Sequence, residues 1–155
     1  MSPIQSAMFL KSLTLEDSGK AALLHQNAFY KGWTEEDFLN FLKTPGIEGL
    51  KIEENHELMG YILFRWVESE AEILTLVIDP SCQRKGKGSL LLQELLDILI
   101  KKGVKDLYLE VAEDNIQAQS FYLDHGFILL SKRPHYYPRE KNKFIAALNF
   151  YRKLL

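Results

Sequence analysis

Ile73-Leu-Thr-Leu-Val-Ile78, then Asp79-Pro80, then Gln83-Arg84-Lys85-Gly86-Lys87-Gly88, then Ser89-Leu-Leu-Leu-Gln-Glu-Leu-Leu96 is the stretch that decides the fold. Its first part is almost continuously apolar, which suits a central strand covered on both faces. Periodicity alone admits a buried helix segment as well. A polar loop with two glycines follows. Leu91, Leu92, Leu95, Leu96, Leu99 and Ile100 then recur at helical spacing until Lys101-Lys102-Gly103 ends the run. A strand, a glycine loop and a helix start together make an anion site. The first backbone N–H groups of the helix point outward, and its dipole favours negative charge. Gly86 and Gly88 let a ligand approach the backbone closely, while Arg84, Lys85 and Lys87 add positive charge. The competing interpretation is a solvated basic turn that only starts the helix. Neither familiar nucleotide fingerprint is met. Gly86-Lys87-Gly88-Ser89 is no Walker A loop, and the third glycine of a dinucleotide site would fall at Leu91.

Working outward, Met8 to Leu13 predicts a first strand. Thr14 or Asp17 caps a helix carrying Ala21, Leu24, His25, Ala28 and Phe29, which Gly32 breaks. Thr34 with Glu35, Glu36 and Asp37 starts a second helix, closed by Pro45-Gly46. Leu50 to Glu53 alternates, Glu54-Asn55-His56 turns, and Met59 to Val67 is rich in strand formers. After the central helix, Leu107 to Val111 predicts a strand and Asn115 to His125 a helix stopped by Gly126. Phe127 to Leu130 and Phe144 to Phe150 predict the last strands. The order is mixed α and β, with an antiparallel front half and one strand–helix–strand crossover.

The 155 residues predict one domain over 1–155 with no linker or repeat. Nineteen basic and twenty-one acidic residues give a net charge of −2, which argues against a dedicated nucleic-acid binder. The one cysteine excludes an internal disulfide and a cysteine-rich zinc site. No apolar run is long enough for a membrane span, and the start lacks the basic and apolar regions of a signal peptide. A cytoplasmic location, with no membrane or nucleic-acid partner, is the expectation.

Gln83-x-x-Gly86-x-Gly88 resembles the Gln/Arg-x-x-Gly-x-Gly/Ala signature of the Gcn5-related N-acetyltransferase (GNAT) family. Asn115-x-x-Ala118-x-x-x-Tyr122-x-x-x-Gly126-Phe127 resembles that family's second signature, in the right order and at a fitting interval. The resemblance implies an α/β GNAT fold: a central mixed, mostly antiparallel sheet splayed between two parallel strands, with about four helices. It implies acetyl-CoA as cosubstrate; separately, the wide spacing of the four histidines predicts no metal. The pyrophosphate would sit on the amides of Arg84, Lys85, Gly86, Lys87, Gly88 and Ser89, with Asn115, Ala118 and Tyr122 lining the coenzyme. The acetyl carbonyl would meet backbone N–H groups near Val77 and Ile78.

Within that family, Trp33-Thr-Glu-Glu-Asp-Phe38, Val77-Ile-Asp-Pro80, Leu109-Glu-Val111 and Arg133-Pro-His-Tyr-Tyr-Pro138 resemble the bacterial RimI-type ribosomal-protein alanine N-acetyltransferases. By that resemblance Tyr122 is the general acid. Glu110 is the base candidate, because strand alternation sets it opposite Leu109 and Val111, where a carboxylate can face a cleft. A solvent-facing strand glutamate is the plainer alternative. Trp33, Tyr136 and Tyr137 would wall an acceptor groove for a protein or peptide N-terminus, a ribosomal protein among the candidates. The chain departs from the subgroup after Tyr137-Pro138: its loop is short, and Asn142 and Lys143 stand near an expected acidic pair. A coenzyme A-binding module without turnover, or a transferase for a small amine, therefore remains open.

Cys82 is expected to be an incidental thiol. His25, His56, His125 and His135 show no paired-ligand spacing. Lys101 and Lys102 are expected to serve a helix C-terminus, and Tyr151 to Leu155 is either a frayed tail or a docking patch.

Overall fold

The structure, a computed structural model, describes residues 8–83 and 86–155. Among the described residues, seven strands and four α-helices follow one another as β1 (Met8–Ser12), α1 (Ser18–Ala28), α2 (Glu35–Lys43), β2 (Ile47–Glu54), β3 (Glu57–Val67) and β4 (Glu70–Ile78). Then come α3 (Lys87–Lys101), β5 (Asp106–Ala112), α4 (Ile116–Asp124), β6 (Ile128–Arg139) and β7 (Lys143–Lys153). The strands form one sheet in the order β1-β2-β3-β4-β5-β7-β6. β4 and β5 are its parallel pair, and their ladder runs from Glu70↔Asp106 to Ile73↔Leu109. β4 itself continues to Ile78 and β5 to Ala112. The mixed, mostly antiparallel sheet with four helices is the fold expected from the sequence.

Two compact units emerge. One holds the described part of Met1–Arg65 with Thr75–Ile98, the other Trp66–Leu74 with Leu99–Leu155. In the first, β1, β2 and β3 pair antiparallel. Asn55 and His56, at φ +52° and +67°, make the tight turn between β2 and β3, as paired left-handed residues do in short hairpins. Thr34 opens α2 with a reciprocal box: the Asp37 amide donates to Thr34 Oγ1 at 3.2 Å, and the Thr34 amide to Asp37 Oδ2 at 2.8 Å. Asp17 precedes α1 but does not cap it with its side chain. It accepts from the Thr14 amide and from Lys51 Nζ instead, at 2.8 and 2.9 Å. Burial pulls the Asp17 pKa up, but those donors outweigh it and hold the carboxyl below its ordinary value.

β4 is a strand, which settles the open choice over Ile73–Ile78. Ala71, Ile73, Thr75 and Val77 are buried, while the alternate residues Glu72, Leu74, Leu76 and Ile78 are half-buried. Gly60 on β3 permits close contact with it. A Cβ there would lie 2.6 Å from Ile78 Cδ1 and 2.8 Å from the Val77 carbonyl oxygen. In α3, Leu91, Leu92, Leu95 and Leu99 are fully buried, as the apolar spacing requires.

In the second unit, β7 pairs with β5 from Asp106↔Lys153 to Ala112↔Ala147. Tyr151–Lys153 are thus part of the sheet, and Leu154 donates its amide to Lys105 O at 2.7 Å, so this segment is no frayed tail. β6 runs to Arg139, well past the Leu130 expected, because it returns along β7 through the turn Glu140–Asn142. Proline and a bulge hide that continuation from a propensity reading. Lys102 does not serve only the end of α3: its ammonium lies 4.3 Å from the centre of the Trp66 ring.

Candidate active site

Glu110 sits in β5, whose Leu107, Leu109 and Val111 are buried while Glu110 is half-buried. Alternation therefore presents its carboxylate on the opposite face from the core leucines. There the Tyr137 hydroxyl donates to Glu110 Oε1 at 2.6 Å. The structure so joins two residues that the sequence analysis selected for separate reasons. Burial, and then the bond to Glu110, drives the Tyr137 pKa far above a free phenol, so its hydroxyl stays a donor. Tyr136 is 44% exposed, with its ring 5.1 Å from that of Tyr137 and with the Arg133 guanidinium 4.8 Å from its centre.

Arg139, which the sequence analysis did not single out, completes this cluster. Its Nε and Nη2 donate to Asp114 Oδ2 and Oδ1 at 2.8 and 2.9 Å, and its Nη1 donates to Pro138 O at 2.8 Å. The guanidinium holds the Asp114 carboxyl below its ordinary pKa, by hydrogen bonding first. Beside it, Lys132 Nζ donates to Glu113 Oε1 at 2.8 Å. No sequence spacing links residues 113–114 to 132 and 139; only the hairpin register does.

Tyr122 lies in α4, which Asn115 caps by accepting the Ala118 amide at 3.2 Å. Asn115 and Ala118, expected at the coenzyme, thus build the helix start that carries Tyr122. Tyr122 is 6% exposed and meets Phe127 edge-on with ring centres 5.3 Å apart. Among the described residues its hydroxyl makes no hydrogen bond, and burial pushes its pKa far above the phenol range. A buried phenol keeps its proton and can release it only to a strong base that reaches it.

In the first unit, Gly86 precedes α3 at φ +79°, and among the described residues a Cβ there would meet nothing within 4 Å. Arg84 and Lys85 lie outside the described residues. Lys87 Nζ is 3.7 Å from Glu54 Oε2, so one expected phosphate cation already has a carboxylate neighbour. α3 begins at Lys87, and a helix leaves the N–H groups of its first turn without helical acceptors, which suits Lys87, Gly88 and Ser89 to a phosphate. Val77 and Ile78 end β4, where Gln83 Nε2 donates to Ile78 O at 3.4 Å. Cys82 is buried, with Sγ 3.2 Å from Met59 Sδ.

Trp33 belongs to an aromatic cluster. It stacks on His25 at 4.4 Å and 11°, and lies 4.7 Å from Phe41. His25 Nδ1 accepts the Trp33 amide at 2.9 Å, so Nε2 carries the proton and donates to Thr75 Oγ1 on β4 at 3.1 Å. Burial lowers the His25 pKa to about 4, against a smaller pull upward from Asp37. His25 falls on the apolar face of α1, and that position was the sequence signal for its burial. Among the described residues no group of three or more His, Cys, Asp or Glu side chains is placed to share a metal ion, and no helix is long and apolar enough to cross a membrane.

The chain is similar to known proteins in sequence and in fold. Residues 20–127 match the sequence model of the Acetyltransferase (GNAT) family. The "[Ribosomal protein bS18]-alanine N-acetyltransferase" of Escherichia coli (strain K12) is 31% identical over 129 residues, covering 83% of this chain and 86% of that one. The protein of that name from Haemophilus ducreyi is 27% identical over 143 residues, 90% of this chain and 98% of that one. The crystal structure of the ribosomal-protein-S18-alanine N-acetyltransferase from Escherichia coli superimposes with a TM-score of 0.87. It is 28% identical, and the match covers 96% of this chain and 94% of that one. With the parallel strand pair, the helix that opens after Gly86 and the helix α4 that Asn115 caps all in place, this chain belongs to the GNAT family and is an N-acetyltransferase.

Proposed function

We propose that this chain acetylates the N-terminal α-amine of a protein or peptide, with Glu110 as general base and Tyr122 as general acid. The observation that carries the proposal is the Glu110–Tyr137 contact, which joins the base candidate to the tyrosine pair expected to wall the acceptor groove. Acetyl-CoA, when bound, supplies an acetyl thioester. Gly86, Gly88, Ser89 and the start of α3 suit its pyrophosphate, because Gly86 holds a positive φ that a side chain would strain and the helix end favours an anion. Arg84 and Lys85 would add charge, and the Val77 and Ile78 backbone would face the carbonyl.

Glu110 takes a proton from the acceptor ammonium, leaving the nitrogen lone pair for attack. As the C–N bond forms and the C–S bond breaks, the Tyr122 hydroxyl gives its proton to the departing sulfur, and the second proton lost by the attacking nitrogen restores the hydroxyl through solvent, so that amide, thiol and neutral Tyr122 result. An α-amine, with a pKa of about 8, asks less of a carboxylate base than a lysine near 10.4. Relatives named for the alanine of a ribosomal protein support a protein N-terminus, and make a ribosomal protein one acceptor to try. Tyr136 and the stacked Trp33 would offer aromatic contact to such a chain. The family match across residues 20–127 supports reading that span as part of a single domain.

The test compares thiol release from acetyl-CoA with three acceptors: a peptide beginning with free alanine, its N-blocked lysine-bearing twin, and spermidine. The free N-terminus should be fastest. Preference for spermidine or the blocked peptide would overturn the acceptor assignment. Acetyl-CoA binding without turnover on any of the three would make the chain a coenzyme-binding module.

A further inference from the structure

The ladder between β6 and β7 slips between Arg133 and Tyr137, so the strand bulges there, and His135 takes φ +52°. A bulge leaves backbone unpaired and re-aims the side chains beside it. This one is pinned on both sides from the single turn that follows β5. Glu113 holds Lys132 before the bulge, and Asp114 holds Arg139 after it with two parallel hydrogen bonds. The third Arg139 bond, to Pro138 O, ties the guanidinium to its own strand. Its carbon then lies 5.9 Å from the centre of the Tyr137 ring. A two-bonded guanidinium fixes direction as well as charge, which a lysine ammonium does not.

We propose that Arg139, oriented by Asp114, is a positioning residue that holds the Tyr137 hydroxyl on Glu110 and so aims the base at the acceptor amine. The inference rests on the assignment of Glu110 as base. The side chains of Arg139 and Asp114 are 24% and 54% exposed, so the pair adds little to stability. Its effect is on direction. A base swung aside by a fraction of an ångström to an ångström costs about 10- to 100-fold in rate.

The experiment measures kcat, KM for peptide and for acetyl-CoA, and melting temperature in Arg139→Gln, Arg139→Lys, Asp114→Asn, Tyr137→Phe, Glu110→Gln and the double variant Arg139→Gln/Tyr137→Phe. Fluorotyrosine incorporated at Tyr137 is followed in parallel by fluorine NMR. Arg139→Gln and Asp114→Asn should lower kcat about 10-fold or more, with unchanged KM for acetyl-CoA and nearly unchanged melting. Arg139→Lys should not restore the rate. Adding Arg139→Gln to Tyr137→Phe should cost nothing further, because both act through one contact. The fluorine resonance should move on Arg139→Gln in the same direction as on Glu110→Gln. Additive losses in the double variant, or a resonance indifferent to Arg139, would overturn the proposal. A fully active Glu110→Gln overturns the base assignment instead, and the fluorine comparison then decides the positioning claim by itself.

Discussion

His25 should make the protein lose stability in mildly acidic solution, by an amount the structure sets. The imidazole is 5% exposed, accepts the Trp33 amide and donates to Thr75. Protonation would break the first bond and place a charge in the core. Desolvation accordingly lowers the pKa from 6.5 to about 4. At about 1.4 kcal/mol per pKa unit, the whole displacement corresponds to roughly 3 kcal/mol. Between those two values the unfolded chain binds the proton and the folded chain does not. Stability is thus full above pH 6.5 and falls as pH drops toward 4. Between about pH 7.5 and pH 5 the loss from this one group is roughly 2 kcal/mol. Urea unfolding of wild type and His25→Gln at both pH values isolates it, since every other titrating group is common to the pair. The variant should be less stable near pH 7.5, because the Trp33 amide loses its acceptor. The gap should narrow by about 2 kcal/mol near pH 5. A gap that does not change with pH refutes the reasoning, as does an NMR titration that places the imidazole near its ordinary value.

Tyr122→Phe should lower kcat by about 100-fold while acetyl-CoA affinity and melting stay close to wild type, because the hydroxyl makes no hydrogen bond among the described residues. Steady-state kinetics with calorimetric binding separates the two effects. Glu110→Gln should lower turnover and flatten the acidic side of the pH–rate profile; a profile that keeps its shape would move the base role to another group. Lys51→Met should cost about 3 kcal/mol in urea unfolding, since Asp17, whose side chain is 13% exposed, would lose its nearest cation. Gly60→Ala should cost about 2 kcal/mol or more by thermal melting, because the added methyl meets backbone oxygen as well as the Ile78 side chain.

The helices were legible because their signals are local. Thr34 with Asp37, Asn115 with Ala118, and the leucines of α3 each act within one or two turns, so the spacing carries the structure. β4 was ambiguous for the opposite reason. Its apolar run fits any buried element, and only the sheet around it makes Ile73 and Val77 buried while Leu74 and Leu76 are half-buried. The far half of β6 was illegible. Pro134 and the slip before Tyr137 break the period of two that marks a strand, and β7 supplies the pairing that a propensity reading lacks.

The candidate site divides along the same line. Gly86, Gly88, Asn115 and Tyr122 stand at helix starts or on helices, where sequence distance converts directly into place. Glu110 was legible from strand alternation, which fixes a face but names no neighbour. What it touches depends on how far β6 travels before it bulges, and on which acids of the β5–α4 turn reach its cations. Each residue of register moved in that hairpin would turn Tyr137 to the other face of the strand and part it from Glu110. On the positioning proposal, the Asp114–Arg139 pair bears on chemistry more than on stability: it would hold Tyr137 in the one register of an exposed strand that reaches Glu110.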